Sequence, residues 1–194
     1  MRAKIAVLVS ILALAGCATV DAWRASDQSY SVAARVEHVE IRQYGARFAA
    51  EMVVDGDAET TRSFAYRRLA DYLAGANKGG ATIPMTEPML QAAEGPTRWR
   101  IRFFMPANAT LATLPQPADP AISLVAVPPE TLAVLRFSGA PDASAVVLRT
   151  GLLITALEGS AWRPAGAPVA LFYDPPWSLP PLRRNEVAIP VSPR

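Results

Sequence analysis

Two residue types that dominate redox and metal chemistry are all but missing from this 194-residue chain, which has one cysteine, Cys17, and one histidine, His38. A lone cysteine excludes an internal disulfide, and one histidine cannot complete a Cys/His metal cluster. A Cys–His catalytic pair within the domain is excluded in the same way. A Ser–His–acid triad would have to use His38, and no serine sits in a nucleophile elbow. Lysine is scarce too: after Lys4 only Lys78 occurs, so arginine carries the positive charge. No proline precedes Pro84, and all eighteen lie from there onward. No apolar run is long enough to cross a bilayer; the longest, Ile5 to Ala15, would span about 17 Å as a helix against roughly 30 Å of hydrocarbon. A basic surplus is lacking once the first sixteen residues are set aside. Nineteen Lys and Arg face seventeen Asp and Glu, and the excess is Arg2 and Lys4. The remainder is formally neutral, which argues against nucleic acid as a partner.

The N-terminus has its own pattern. Arg2 and Lys4 precede the apolar run, and Leu14-Ala15-Gly16-Cys17 follows it. This resembles the lipobox of bacterial lipoproteins, which implies cleavage before Cys17 and lipid attached to its sulfur. Residues 1–16 are then a signal peptide, 17–35 a lipidated tether and 36–194 the domain. Ala18 after the cysteine is similar to the pattern that directs such proteins to the outer membrane, facing the periplasm.

The organising stretch is Thr97 to Pro106. Trp99, Ile101, Phe103 and Met105 alternate with Arg98, Arg100 and Arg102, the period of a strand with an apolar and a cationic side. Before it, Val36 to Tyr44 and Arg47 to Val54 read as paired strands. A helix follows from about Thr60, capped by Thr60 or Thr61, with Tyr66, Leu69, Leu73 and Ala76 as its stripe. Residues 81–93 then return extended, and the arginine-backed strand completes the unit. After a proline-rich connector the same order recurs: strands at 122–127 and 131–137, a helix over about 142–157, and strands at 169–173 and 185–191. The second helix is apolar on much of its circumference and is expected to be the more buried. The fold class is α+β, a pseudo-twofold repeat of β-β-α-β-β. Its eight antiparallel strands form a distorted barrel or a strongly curled sheet, flanked by two helices.

At these landmarks the chain resembles the SOUL haem-binding protein family. The matching pieces include VEIRQY at 39–44, FAYRRLADYLAGAN at 64–77, IPMTEPM at 83–89, RIRFFMP at 100–106, AVLRFSG at 133–139 and YDPPWSLPPLRRNEVAIPV at 173–191. The resemblance implies a distorted eight-stranded barrel with two helices, and binding of haem or a porphyrin. The axial histidine proposed for some members falls near Arg42 to Tyr44, where this chain has Gln43. The lysine often found ahead of the Met-Thr turn is Thr82 here.

Five residues are candidates for holding such a ligand. His38 offers an imidazole for iron, although strand alternation also suits a solvated surface histidine. Arg98, Arg100 and Arg102 offer forks for two carboxylates, or they form a solvated face laced with acids; Arg42 and Arg136 extend that face if their strands are neighbours. Trp177, in a proline-braced loop, offers an indole to a flat ring, or plugs the barrel end. Met85, Met89 and Met105 offer thioethers but suit a core as well. Paired carboxylates (Glu87 with Glu186, or Asp71 with Asp174) have no evident reason to share a cleft. The expectation is a non-enzymatic protein that binds or delivers haem, a porphyrin or a similar flat molecule at the cell envelope. The alternatives are a different hydrophobic ligand, or a structural or protein-interaction role.

Overall fold

A computed structural model describes residues 26–175 and 178–194. Cys17, the whole signal-peptide expectation and Trp177 therefore lie outside the described residues. Twelve strands and two helices follow in order: β1 (Ser26–Asp27), β2 (Ser31–Val36), β3 (Val39–Tyr44), β4 (Arg47–Asp55), α1 (Ala58–Leu73), β5 (Thr86–Glu87), β6 (Met89–Gly95), β7 (Arg98–Phe104), β8 (Ser123–Val127), β9 (Glu130–Ser138), α2 (Ala143–Leu157), β10 (Trp162–Pro164), β11 (Val169–Phe172) and β12 (Arg184–Pro193).

The main sheet runs β2-β3-β9-β12-β11-β6-β7-β4-β8, with β10 paired to the far end of β12. Every neighbouring pair in it is antiparallel. It curls into a half-barrel whose edges, β2 and β8, do not pair with each other. Matching β3, β4, β6 and β7 to β8, β9, β11 and β12 makes the order read the same from either end. The two halves meet where β6 pairs with β11, Met89–Ala92 against Phe172–Val169. Each half also gives its first strand away: β3 pairs with β9 of the second half, and β8 with β4 of the first.

Alternation along the strands gives the sheet two faces. On the outer face Ala50, Met52, Ile101, Phe103 and Met89 pack beneath α1, and Ala133, Phe137, Val187 and Ile189 pack beneath α2. On the inner face Ala49, Leu90, Phe104, Val134, Leu171 and Ala188 meet across the curl. The arginine side of β7 belongs to this inner face, because Arg102 stands opposite Glu51 and Leu90 while Phe104 stands opposite Ala49.

Three expectations change. The cap of α1 is Asp57, whose Oδ1 accepts from the amides of Glu59 (3.2 Å) and Thr60 (2.9 Å). Thr61 instead donates its hydroxyl to the Asp57 carbonyl and is buried. Part of the expected tether is structured: β1 pairs with β5, β2 with β3, and Tyr30 rests on Tyr44 with ring centroids 5.3 Å apart. The larger correction concerns α2. Only Leu153 and Leu157 are buried, whereas α1 buries seven residues; Val147 is 72% exposed, Leu148 61% and Leu152 48%. A single helix laid on one sheet buries one face, and here no further layer covers the other.

Burial makes the difference between the two faces of α2 measurable. Leu153→Ala should lower unfolding free energy by about 2–5 kcal/mol, as expected for a fully buried leucine, while Leu148→Ser should stay within about 0.5 kcal/mol. Urea unfolding of both variants checks this, and comparable losses would contradict the assignment of faces.

Candidate functional site

The halves meet under a cleft. Its floor is the β6–β11 junction (Gln91, Ala93, Val169 and Ala170), and its walls are the first turns of α1 and of α2, with Trp99 and Pro168 at the rim. The cavity volume is about 300 Å³ and the lining is mostly apolar, at the lower end of ordinary ligand sites. An annex of about 140 Å³ shares Arg62 and Pro141 with it and adds Glu59, Met89, Phe172, Asp174 and Arg183.

Arg62 is the unusual wall residue. It lies on the buried face of α1, 8% exposed, with its guanidinium 4.3 Å above the Phe172 ring. It donates to the Pro141 carbonyl at 3.1 Å and reaches Gln91 Oε1 only at 3.5 Å. Gln91 is held by donating to the Ala58 carbonyl at 2.7 Å. No carboxylate lies within 4 Å of Arg62 among the described residues. Burial pushes its pKa down; nearby Glu59 opposes that, and Arg183 adds to it. A buried cation without an acidic partner is costly unless something compensates.

The inner face shows the opposite economy. Arg42, 4% exposed, donates from Nη1 to Glu186 Oε2 at 2.8 Å and from Nη2 to Oε1 at 3.2 Å. Glu186 is fully buried and also accepts from the Tyr173 hydroxyl (2.8 Å) and from Arg184 Nη2 (3.1 Å). Burial works against the Arg42 charge, but the bonds and charge of Glu186 outweigh it and raise the guanidinium pKa. Burial, then the same carboxylate, drives the Tyr173 phenol upward as well.

The residues singled out in the sequence fall as follows. Arg102 donates to Glu51 Oε2 through Nε (2.9 Å) and Nη2 (2.6 Å), and Arg100 pairs with Glu94 at 2.5 Å. Arg98 is exposed opposite Asp55. This strand face is thus laced with carboxylates. His38 is exposed and lines a separate basin with Arg42, Arg136 and Arg184, also on the inner face. Strands β3 and β9 neighbour each other but not β7, so Arg42 and Arg136 share this basin and do not extend the arginine face of β7. Met89 and Met105 are both core, and Met89 also lines the annex. Trp177 is not described, but the described ends of its loop, Asp174 and Arg183, line the annex too. Arg62 and Gln91 were missed. The signal existed, since Arg62, Tyr66, Leu69 and Leu73 share one helical stripe and a charge in that stripe is informative. Among the described residues no three His, Cys, Asp or Glu side chains could hold a metal ion, and no helix is long and apolar enough to cross a membrane.

Removing Arg42 leaves Glu186 buried with fewer partners. Arg42→Leu should cost about 3–5 kcal/mol in urea unfolding, and Arg42→Leu combined with Glu186→Leu should recover much of that loss. Additive losses would show that the two side chains are not energetically coupled.

The SOUL heme-binding protein family matches residues 26–190. Heme-binding protein 1 of Sus scrofa is 29% identical over 148 residues, covering 74% of this chain and 78% of that protein. Among solved structures, the EcmrR C-terminal domain superposes with a TM-score of 0.57 at 13% identity, covering 85% of this chain and 99% of that one. EcmrR in its DNA complex gives 0.61 at 12%, covering 80% of this chain but 57% of that one. A hydrolase from Listeria innocua gives 0.61 at 13%, covering 82% and 94%. At such identities the structural likeness is one of fold alone.

Proposed function

We infer that this chain, which belongs to the SOUL heme-binding protein family, binds a tetrapyrrole or a similarly flat, carboxylate-bearing molecule in the cleft between its helices. The observation that carries this reading is Arg62, a buried guanidinium without an acidic partner among the described residues, set in an otherwise apolar wall. A flat ring edge would lie between Val146 and Val147 on one side and Ala58 and Trp99 on the other. A ligand carboxylate would meet Arg62, with Arg183 next in range. A charge-assisted bond of that kind contributes about 1.5–3 kcal/mol, and apolar contact supplies the rest. The residues fit a macrocycle and its carboxylates better than they fit iron. The lone histidine lies on the other face of the sheet, and among the described cleft and annex residues only Met89 offers a soft donor, a thioether. Recognition is therefore through ring faces and carboxylates, and metal-free porphyrin should bind as well as haemin. Trp177 belongs to the proposal as a contact from the loop flanking the annex. The residues then bind and release; they do not transform.

The lipobox-like run supports a second part of the proposal, that the chain is anchored at the cell envelope by lipid on Cys17 and faces the periplasm from the outer membrane. A protein-interaction role is the second reading, favoured by the exposed apolar side of α2.

Haemin and metal-free protoporphyrin should each give a saturable one-to-one absorbance change, with affinities within about threefold of each other. Arg62→Gln should weaken both by about tenfold, near 1.4 kcal/mol. A non-saturating response shared with an unrelated apolar protein would remove the ligand reading and leave the interaction role. Labelling with a fatty-acid analogue should tag the chain and fail with Cys17→Ser; label retained in that variant would refute the anchor.

A further inference from the structure

The inner face carries a second concavity, independent of the helical cleft. This basin has a volume of about 380 Å³ and is mainly polar, lined by Tyr30, His38, Glu40, Arg42, Arg136 and Arg184. Four arginines (Arg35, Arg42, Arg136 and Arg184) surround two carboxylates, Glu40 and Glu186. Both acids are already bonded to arginines, and Glu186 is saturated. Glu186 Oε2 accepts from Arg42 Nη1 and the Tyr173 hydroxyl; its Oε1 accepts from Arg42 Nη2 and from Arg184 Nη2 and Nε, the last at 3.4 Å. Glu40 Oε1 accepts from Arg35 at 3.0 Å, and Oε2 from Arg42 Nε at 2.9 Å. A carboxylate offers about four lone-pair sites, so Glu186 has none to spare.

Arg136 stands directly across the ladder from Glu186, yet it makes no ion pair among the described residues and is exposed. The arginine whose natural partner lies closest is thus the one left over, facing an open basin with His38 on its rim. The Arg136 charge faces a concavity whose walls of Tyr30 and Val134 reduce screening by water. A planar guanidinium fork suits a tetrahedral oxyanion. The basin is too polar for a macrocycle but well matched to a compact dianion.

We propose that this basin binds a phosphate-type dianion, with Arg136 as its principal donor and Arg184 and His38 beside it. The probe is inorganic phosphate, titrated calorimetrically into the full chain in detergent at constant ionic strength. The expected result is saturable one-site binding, weakened about tenfold or more by Arg136→Gln and left within about twofold by Arg67→Gln, an exposed arginine on α1. Haemin titration of Arg136→Gln should match wild type, which separates this site from the helical cleft. A second arm uses phosphatidylcholine vesicles with and without phosphatidic acid: retention on the acidic vesicles, reversed by phosphate, assigns the group to a lipid headgroup, and binding of free phosphate alone assigns it to a soluble ligand. Absence of saturation, or equal weakening by Arg136→Gln and Arg67→Gln, overturns the proposal, because diffuse attraction would then explain all of it.

Discussion

A ladder of four residue pairs, Met89–Ala92 against Phe172–Val169, holds the two halves of this molecule in register. It is short, and nearly everything of interest depends on it. A one-residue slip there would turn Leu90 and Leu171 out of the inner core and drive Gln91 and Ala170 into it. The same ladder forms the floor of the helical cleft, so its register also sets the separation of the α1 and α2 walls. The cleft lies where the pseudo-twofold brings two helix starts together. It is a product of the repeat and does not belong to either half.

Two buried arginines illustrate how differently one residue type is used. Arg42 is locked onto Glu186 by both ends of its fork, an arrangement that adds little net stability over an apolar core but is expensive to break. Arg62 has a carbonyl, an amide at the limit of bonding distance and an aromatic ring, and no carboxylate within 4 Å among the described residues. The first is internally complete. The second is a buried charge left without an ion pair among the described residues.

Much of the architecture was legible because its signals are local. Alternation along Arg98–Phe104 gave strand and faces, and the repeated element order survives as the mirrored order of the sheet. What was not legible is relational. An apolar circumference on α2 suggested burial, but hydropathy does not say how many layers a fold provides, and Val147 and Leu148 are left in water. The threonines near the start of α1 look like caps because their hydroxyls can accept from helix amides, but Asp57, one residue before the helix, takes that role. The arginines of β7 were conspicuous in sequence, yet Glu51 and Glu94 sit on neighbouring strands and could be matched to Arg102 and Arg100 only through register. Arg62 was readable from helical spacing alone; its lack of an ion pair among the described residues was not.

The exchange of first strands between the halves has a consequence for the order in which the chain becomes structured. Residues 26–105 emerge from a ribosome carrying β3 without β9 and β4 without β8, so two strand edges wait on segments not yet made. Their partners lie some ninety and seventy-five residues downstream, and closing such loops carries an entropic penalty that slows folding. A nascent half-molecule of this kind can pair β4 with β7 and β7 with β6 but cannot complete the sheet. Until both partners are made, β4 can join only β7 and β3 only β2, so the full sheet closes late in synthesis.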